Sequence, residues 1–360
     1  MAKGPIVSVD GDIIRYTIGC VCDTAKFFVY DDDKELGSYD NRTQLKAALG
    51  DDALDKYTVK RRVKAEPLAN ALHSVKLKLE YIRKATNARD LNIYLTGSGN
   101  FRESMKLCLP YKGNRVTRKA MNEMKDAGLY PHYFEQYGEK YSFGKPTHFK
   151  AITDYLCDKW DAVIVDDMEV DDELAIQQAR AWDWSKGRDN SEQDLKERGH
   201  VIASLDKDLM QVPGWFFDFR PEKDRKKGVP DWEFVSEDQA DTNLWAQVMS
   251  GDMTDNIFGI EGLGLSGAKK RVKEGKAKGL TGEEICTAAY YDWFTKLARE
   301  WLNTGGETLK PISRFILDNY EPETYMHEVY RLVRLVRTYD ELEEVRDEIG
   351  IREQDSSSVG

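Results

Sequence analysis

Three buried-looking segments of this sequence each end in carboxylates. Asp10 follows "IVSV"; Glu169, Asp171 and Asp172 follow "AVIV" within "DDMEVDD"; Asp206 and Asp208 follow "VIASL". A fourth acidic stretch is "SGDMTDNIFGIEGLGLSGAKK", residues 250–270, where Asp252 and Asp255 stand three apart and so face one side of a helical turn. A single Asp after a strand is ordinarily a turn or helix N-cap residue. Several clusters brought to one place are different, because like charges raise one another's pKa and destabilise the fold unless a cation joins them. Oxygen-only ligands suit a hard cation. The pattern predicts a site for two Mg²⁺ ions, with Mn²⁺ able to substitute. In the same acidic stretch, Gly259, Gly262 and Gly264 permit tight turns and close backbone approach. The basic segment from Lys269 and Lys270 to Lys273 follows, a combination suited to gripping a phosphate backbone. For the glycine spacing alone, an ordinary loop between helices is the simpler reading.

These residues need elements to position them. Strands are expected at residues 5–9, in "LNIYLTG", in "DAVIVDD" and in "HVIASLD", with "GWFFDF" after the last. Helical spacing marks "EPLANALHSVKLKLEYIRKA", "PTHFKAITDYLCDKW" from Pro146, and "DDELAIQQARAW". "KFFVYDDDKELGSY" reads as a hairpin with an acidic turn, and "TRKAMNEMKDAG" as a short helix from Thr117 to Gly128. Strands alternating with helices predict an α/β fold, with a mostly parallel central sheet flanked by helices. In such a sheet, ligands bind beyond the carboxyl ends of the strands, where the acids fall. From about residue 236 only helices are expected: "EDQADTNLWAQVMSG", "GAKKRVKEG", "EEICTAAYYDWFTKLAREWLN" and "YMHEVYRLVRLVRTYDELEEVRDEI". This divides the chain into an α/β core over 1–235, with an irregular basic segment at about 101–145, a helical region over 236–345, and a disordered tail at 352–360.

The bulk numbers bound the function. With 53 basic and 64 acidic residues, the net charge is −11, which by itself argues against nucleic acid as partner. The eight candidate acids carry eight of those charges, so bound cations reverse the objection. No apolar run is long enough to span a membrane, and the N-terminal residues lack an apolar leader core. Cys20, Cys22, Cys108, Cys157 and Cys286 show no paired C-x-x-C spacing. A reduced, cytoplasmic protein without a zinc site is expected.

The quoted motifs resemble, in order, those of the 5′ nucleases: bacteriophage 5′→3′ exonucleases, the 5′-nuclease domain of bacterial DNA polymerase I, and flap endonucleases. The matches are "VDGD", "NFRESMKLCLPYKGNR", "MEVDD", "SLDKDL" and "GDMTDNIFGIEGLG", which span residues 9 to about 273. The resemblance implies the PIN-like nuclease core, with a helix–three-turn–helix at about 250–275 that grips duplex DNA through Gly259, Gly262, Gly264, Lys269 and Lys270. It implies that Asp10, Glu169, Asp171 and Asp206 surround the metal nearer the scissile phosphate. Asp172, Asp208, Asp252 and Asp255 would serve the second metal or its waters. Lys112, Arg115 and Arg102 would bind the scissile phosphodiester at the base of an arch, where charge builds during in-line attack. The implied activity is 5′→3′ exonuclease and flap endonuclease action on DNA with a 5′ end, duplex or flap, by a monomer in a replicative, phage-like setting. Two departures stand out. Gly97 lies where the family usually has an acid, a position implied to face Asp10, with Asp12 as a candidate substitute, and Ser266 lies where a lysine is usual. Two alternatives follow: a catalytically impaired DNA-structure-binding protein, and a ribonuclease of the same fold.

Overall fold

The computed structural model describes residues 4–105, 107–142, 144–186, 191–224 and 230–349; the tail expected at 352–360 lies outside them. Among the described residues, nine strands longer than two residues form two sheets: β1 (Ile6–Asp10), β2 (Asp23–Asp31), β3 (Lys34–Tyr39), β4 (Thr58–Ala65), β5 (Asp90–Thr96), β6 (Val163–Val165), β7 (His200–Ser204), β8 (Gly214–Asp218) and β9 (Trp232–Val235). The central sheet runs β6-β5-β1-β7-β8-β9 and is parallel except for β9. Its alternation is visible in β1 and β5. Val7, Val9, Ile93 and Leu95 turn to one face, against helices Gly11–Val21, Leu68–Thr86 and Phe149–Trp160, while Tyr94 turns to the other. There it meets Leu174, Ala175 and Ile176 of helix Val170–Ser185. The mostly parallel α/β architecture is the one expected. No described helix is long and apolar enough to cross a membrane, and all five cysteines are free.

Several elements differ from expectation. The hairpin β2–β3 gains β4 and becomes a separate three-stranded antiparallel sheet, ordered β3-β2-β4. Helix Phe149–Trp160 begins after Pro146; ahead of it the Thr147 amide donates to the Asp23 carboxylate (2.9 Å) and His148 bonds the Glu66 carbonyl (2.6 Å). Beyond residue 236, Gly251–Asp252 and Ile257–Phe258 form a two-residue antiparallel pairing inside the turn between helices Glu237–Ser250 and Leu265–Lys276. The last expected helix is two, Pro322–Val333 and Tyr339–Glu348, with the chain extended at Arg334. No proline or glycine breaks it. Arg102 instead takes the Leu332 and Arg334 carbonyls, and Asp172 takes the Val336 amide.

The 101–145 segment does not stand apart. Cys108, Leu109, Met121 and Tyr133 are buried in one core with Trp293, Ile312 and Tyr325 of the helical region. His132 stacks on Phe315 with ring centroids 3.7 Å apart. In the other direction, Leu335, Val336 and Leu342 are buried with Tyr94 and Ile202 of the α/β layers. Packing thus runs across position 235/236 from both sides.

Candidate active site

The site forms where the strands deliver their last residues. Asp10 ends β1 and caps the following helix, its Oδ1 accepting the Ile13 amide (3.0 Å). Its Oδ2 accepts the hydroxyl of Ser204, the last residue of β7 (2.8 Å). Glu169 caps helix Val170–Ser185, which places Asp171 and Asp172 in the first turn. Asp206 caps the 3₁₀ turn Lys207–Gln211 and accepts the Asp208 amide (2.9 Å). Each cluster is therefore also a helix cap, as its residue types favour. The caps do not exhaust the carboxylates. A cavity of about 30 Å³ is lined together by Glu169, Asp171, Asp206, Asp208, Asp252 and Asp255, so acids from three separate motifs share one space.

The electrostatics record that crowding. Burial above all, with Asp12 and Asp206 nearby, pushes the Asp10 carboxyl up to about 7, against the bonds from Ile13 and Ser204. Burial and the neighbouring Asp206 and Asp252 push Asp208 up to about 7. Asp171 is raised well above the usual range by burial and by Asp10, Asp206 and Glu169, and its Oδ1 is buried with no hydrogen-bond partner. A buried carboxylate oxygen without a donor is costly, and a cation would satisfy it. Glu169 behaves differently: burial pushes it up, but Lys112 and Arg102 outweigh burial and hold it below its ordinary value.

The cations come from "PYKGNR". Lys112 pairs closely with Glu169 and stands 3.7 Å from Asp255, while Arg115 pairs with Asp255 at 2.8 Å. Tyr111, whose residue type and position in the motif carry no signal of a role, donates its hydroxyl to Glu169 (2.9 Å) and lies 3.3 Å from the Asp255 carboxylate. This loop is locked onto the "GDMTDN" turn. The Lys112 amide donates to the Asp255 carbonyl (2.8 Å), Asn114 donates to the Met253 and Thr254 carbonyls (3.2 Å each), and Asn256 donates to the Pro110 carbonyl (2.8 Å). Lys112 adopts the left-handed conformation (φ 51°), a local strain this docking sustains.

Not every expected residue is open at the site. Arg102 lines the acid cavity but is 1% exposed and gives both guanidinium prongs to Asp172, at 2.6 and 2.9 Å. Each is engaged by the other rather than by the remaining acids. Gly97 does not face Asp10: a side chain there would run into Asp166, Ile164 and the Val165 carbonyl at the end of β6. Restoring an acid at Gly97 would strain the strand junction. Asp12, the expected substitute, is raised by burial, is paired with Arg15 (2.7 Å), and accepts the Thr96 amide (3.1 Å). Gly259 is buried, its Cα against the Gly251 backbone, so it serves the turn and offers nothing to a ligand. Gly262 and Gly264 are exposed, and Gly264 caps helix Leu265–Lys276 without a side-chain bond. Lys270 is exposed beside Glu274 (3.7 Å); burial lowers the half-buried Lys269, which lies toward Glu233 and Lys207.

Among the described residues, no group of three or more acids is already set to hold a metal ion. Lys112 and Arg115 provide the positive charge on the Glu169 and Asp255 side. The donor set nevertheless fits a hard cation, through all-oxygen chemistry and the unpartnered Asp171 Oδ1.

The sequence matches no protein-family model and no curated protein. Solved structures similar to it over 96% of its length include bacteriophage T5 5′-exonuclease with bound zinc, at 14% identity over 98% of that chain and a TM-score of 0.45. Another is the bacteriophage T5 flap endonuclease in a pseudo-enzyme–product complex with DNA and metal ions, at 13% identity over 97% of that chain and a TM-score of 0.45. These belong to the family the sequence motifs resemble. A likeness of this extent assigns no activity, and the site residues have to carry the functional reading.

Proposed function

We propose that this chain is a metal-dependent 5′ nuclease that hydrolyses DNA phosphodiester bonds, as a 5′→3′ exonuclease and flap endonuclease. The carrying observation is the single cavity shared by acids of the "MEVDD", "SLDKDL" and "GDMTDN" motifs, with Lys112 and Arg115 beside it. Asp10, Asp171, Asp206 and Asp208, with Glu169, Asp252 and Asp255, would hold two Mg²⁺ or Mn²⁺ ions. Divalent cations so held supply a water nucleophile and neutralise charge at the phosphate. The remaining work belongs to side chains. Ser204 fixes the orientation of Asp10, and Tyr111 holds Glu169. Lys112 and Arg115 can exchange their carboxylate partners for phosphate oxygens, with Arg115 the more open at 48% side-chain exposure. Gly262, Gly264, Lys269 and Lys270 would meet the duplex through its backbone, with little sequence preference.

The test is cleavage of 5′-labelled duplex, flap and single-stranded DNA in Mg²⁺ and in EDTA. Cleavage is expected in Mg²⁺ only. Asp206→Asn with Asp208→Asn should lower it by about 10²-fold or more and leave duplex binding intact. Binding without cleavage at every Mg²⁺ and Mn²⁺ concentration would make the chain a DNA-structure binder; a double variant cutting at the parent rate would remove these acids from the site. Neutralising Lys269 and Lys270 should reduce the slope of log K against log[salt] for duplex binding by about 0.9 per lost contact.

A further inference from the structure

The small sheet β3-β2-β4 is built differently from its surroundings. Its inner face buries Phe27 and Val29 against Leu45 and Ala53 of the two short helices that follow β3. Its outer face carries Lys26, Phe28 and Tyr30 from β2 and Lys60, Arg62 and Lys64 from β4. In register, Lys60 lies opposite Phe28, and Arg62 lies opposite Lys26. The Arg62 guanidinium sits 4.4 Å above the Phe28 ring and the Lys60 ammonium 5.0 Å from the Tyr30 ring. Among the described residues, Lys60, Arg62 and Lys64 have no carboxylate partner; Arg62 donates to the Tyr30 hydroxyl (3.3 Å), which donates to Glu35 (3.2 Å), and Lys26 reaches the exposed Asp40 at 3.7 Å.

Stability alone does not account for this face. Like charges directly opposite one another, as Lys26 and Arg62 are, destabilise a strand pair. The aromatic rings add nothing to the inner core. In a chain of net charge −11, four cations around two half-covered rings are the pattern that holds a polyanion with stackable faces. The sheet is also tied to the wall of a larger cavity beside the acids. Arg42, in the helix after β3, donates to the Tyr141 carbonyl (3.1 Å), and Asp23, at the start of β2, accepts the Thr147 amide (2.9 Å). Between those anchors, Ser142, Gly144 and Lys145 line that cavity of about 650 Å³ together with Lys112, Arg115 and Glu169.

We propose that the outer face of β3-β2-β4 binds the single-stranded 5′ arm of the nucleic-acid substrate, phosphates on Lys26, Lys60, Arg62 and Lys64 and bases on Phe28 and Tyr30. The identification of the arm rests on the nuclease reading above; binding of the single strand does not, and it is measured where no cleavage can occur. The probes are fluorescent oligo-dT about 20 nucleotides long and a blunt duplex, titrated in EDTA at several salt concentrations. Lys60→Gln/Arg62→Gln/Lys64→Gln should weaken oligo-dT binding about tenfold or more. It should also reduce the salt slope by about 0.7 per lost contact, with duplex affinity unchanged. Phe28→Leu, which keeps an apolar side chain, should weaken oligo-dT binding about fivefold or more with the slope intact. Retained duplex binding shows that the variants are folded. Unchanged oligo-dT affinity, equal loss for both probes, or equal competition by poly-glutamate would overturn the inference, the last in favour of an acidic protein. Absent cleavage with intact oligo-dT binding would instead count against the nuclease reading alone.

Discussion

Two ion pairs join the same two motifs and serve opposite ends. Arg102–Asp172 and Lys112–Glu169 each link "NFRESMKLCLPYKGNR" to "MEVDD". In the first, all three guanidinium nitrogens and both carboxylate oxygens are bonded. Arg102 bonds Asp172 twice and also the Leu332 (3.0 Å) and Arg334 (2.8 Å) carbonyls, while Asp172 also accepts the Val336 amide (3.1 Å). The pair is buried and pins the C-terminal segment to the α/β layers. In the second, Lys112 keeps a quarter of its side chain exposed, and its partner lies among raised, under-satisfied acids. Completeness of hydrogen bonding, more than charge, separates the structural pair from the reactive one. A saturated pair can only be broken, whereas an unsaturated pair can exchange partners.

The largest effect expected from breaking this contrast is on folding. Arg102→Ala leaves Asp172 buried without its partner and should cost about 3–5 kcal/mol, read as a fall in the denaturation midpoint. A variant of parent stability with lost cleavage would mean that Arg102 acts on substrate after all. Lys112→Ala should do the reverse. Its single-turnover cleavage rate should drop by about 10²-fold while DNA affinity and thermal midpoint change little. A pure affinity loss at normal single-turnover rate would make Lys112 an ordinary binding residue.

The smallest effect is a dependence on pH. Asp10 and Asp208 titrate near 7 in the folded protein, against 3.8 ordinarily, chiefly through burial. At these two carboxyls the folded state therefore holds more protons than the unfolded chain between about pH 4 and 7, opposed in part by His200, which burial lowers to about 4. In EDTA, their contribution to stability should fall as pH rises through that window, by at most about 1.4 kcal/mol per pH unit for each group, with Asp171, also raised, acting in the same sense. Glu169, held below its ordinary value by Lys112 and Arg102, works in the opposite sense below that window. Denaturation at pH 5 and pH 8 would show the trend, and Asp208→Asn should reduce it. At pH 8, added Mg²⁺ should restore stability; a flat profile would mean that the acids are not held together as described.

Much of this molecule was legible from its residues. Strand ends, caps and most helices follow local patterns, since an apolar run that stops in Asp says where a strand ends and what begins there. The convergence of acids was legible too, because a parallel sheet brings its carboxyl ends to one edge whatever the loops do. Side-chain direction was not. Glu169, Asp171 and Asp172 are neighbours in sequence, yet helical geometry sends the first two to the cavity and the third into the protein, where a distant Arg102 claims it. Gly97 and Gly259 carry no mark telling a missing ligand or a phosphate contact from a tight backbone crossing, because that depends on Val165 and Gly251 elsewhere in the chain. The break at Arg334 has no local cause, since it is made by bonds to Arg102 and Asp172, more than 150 residues earlier by number. Local chemistry set which elements form and what they carry; only the packed tertiary structure, through long-range hydrogen bonds that satisfy some charges and leave others wanting, decided which carboxylates are architecture and which remain free to react.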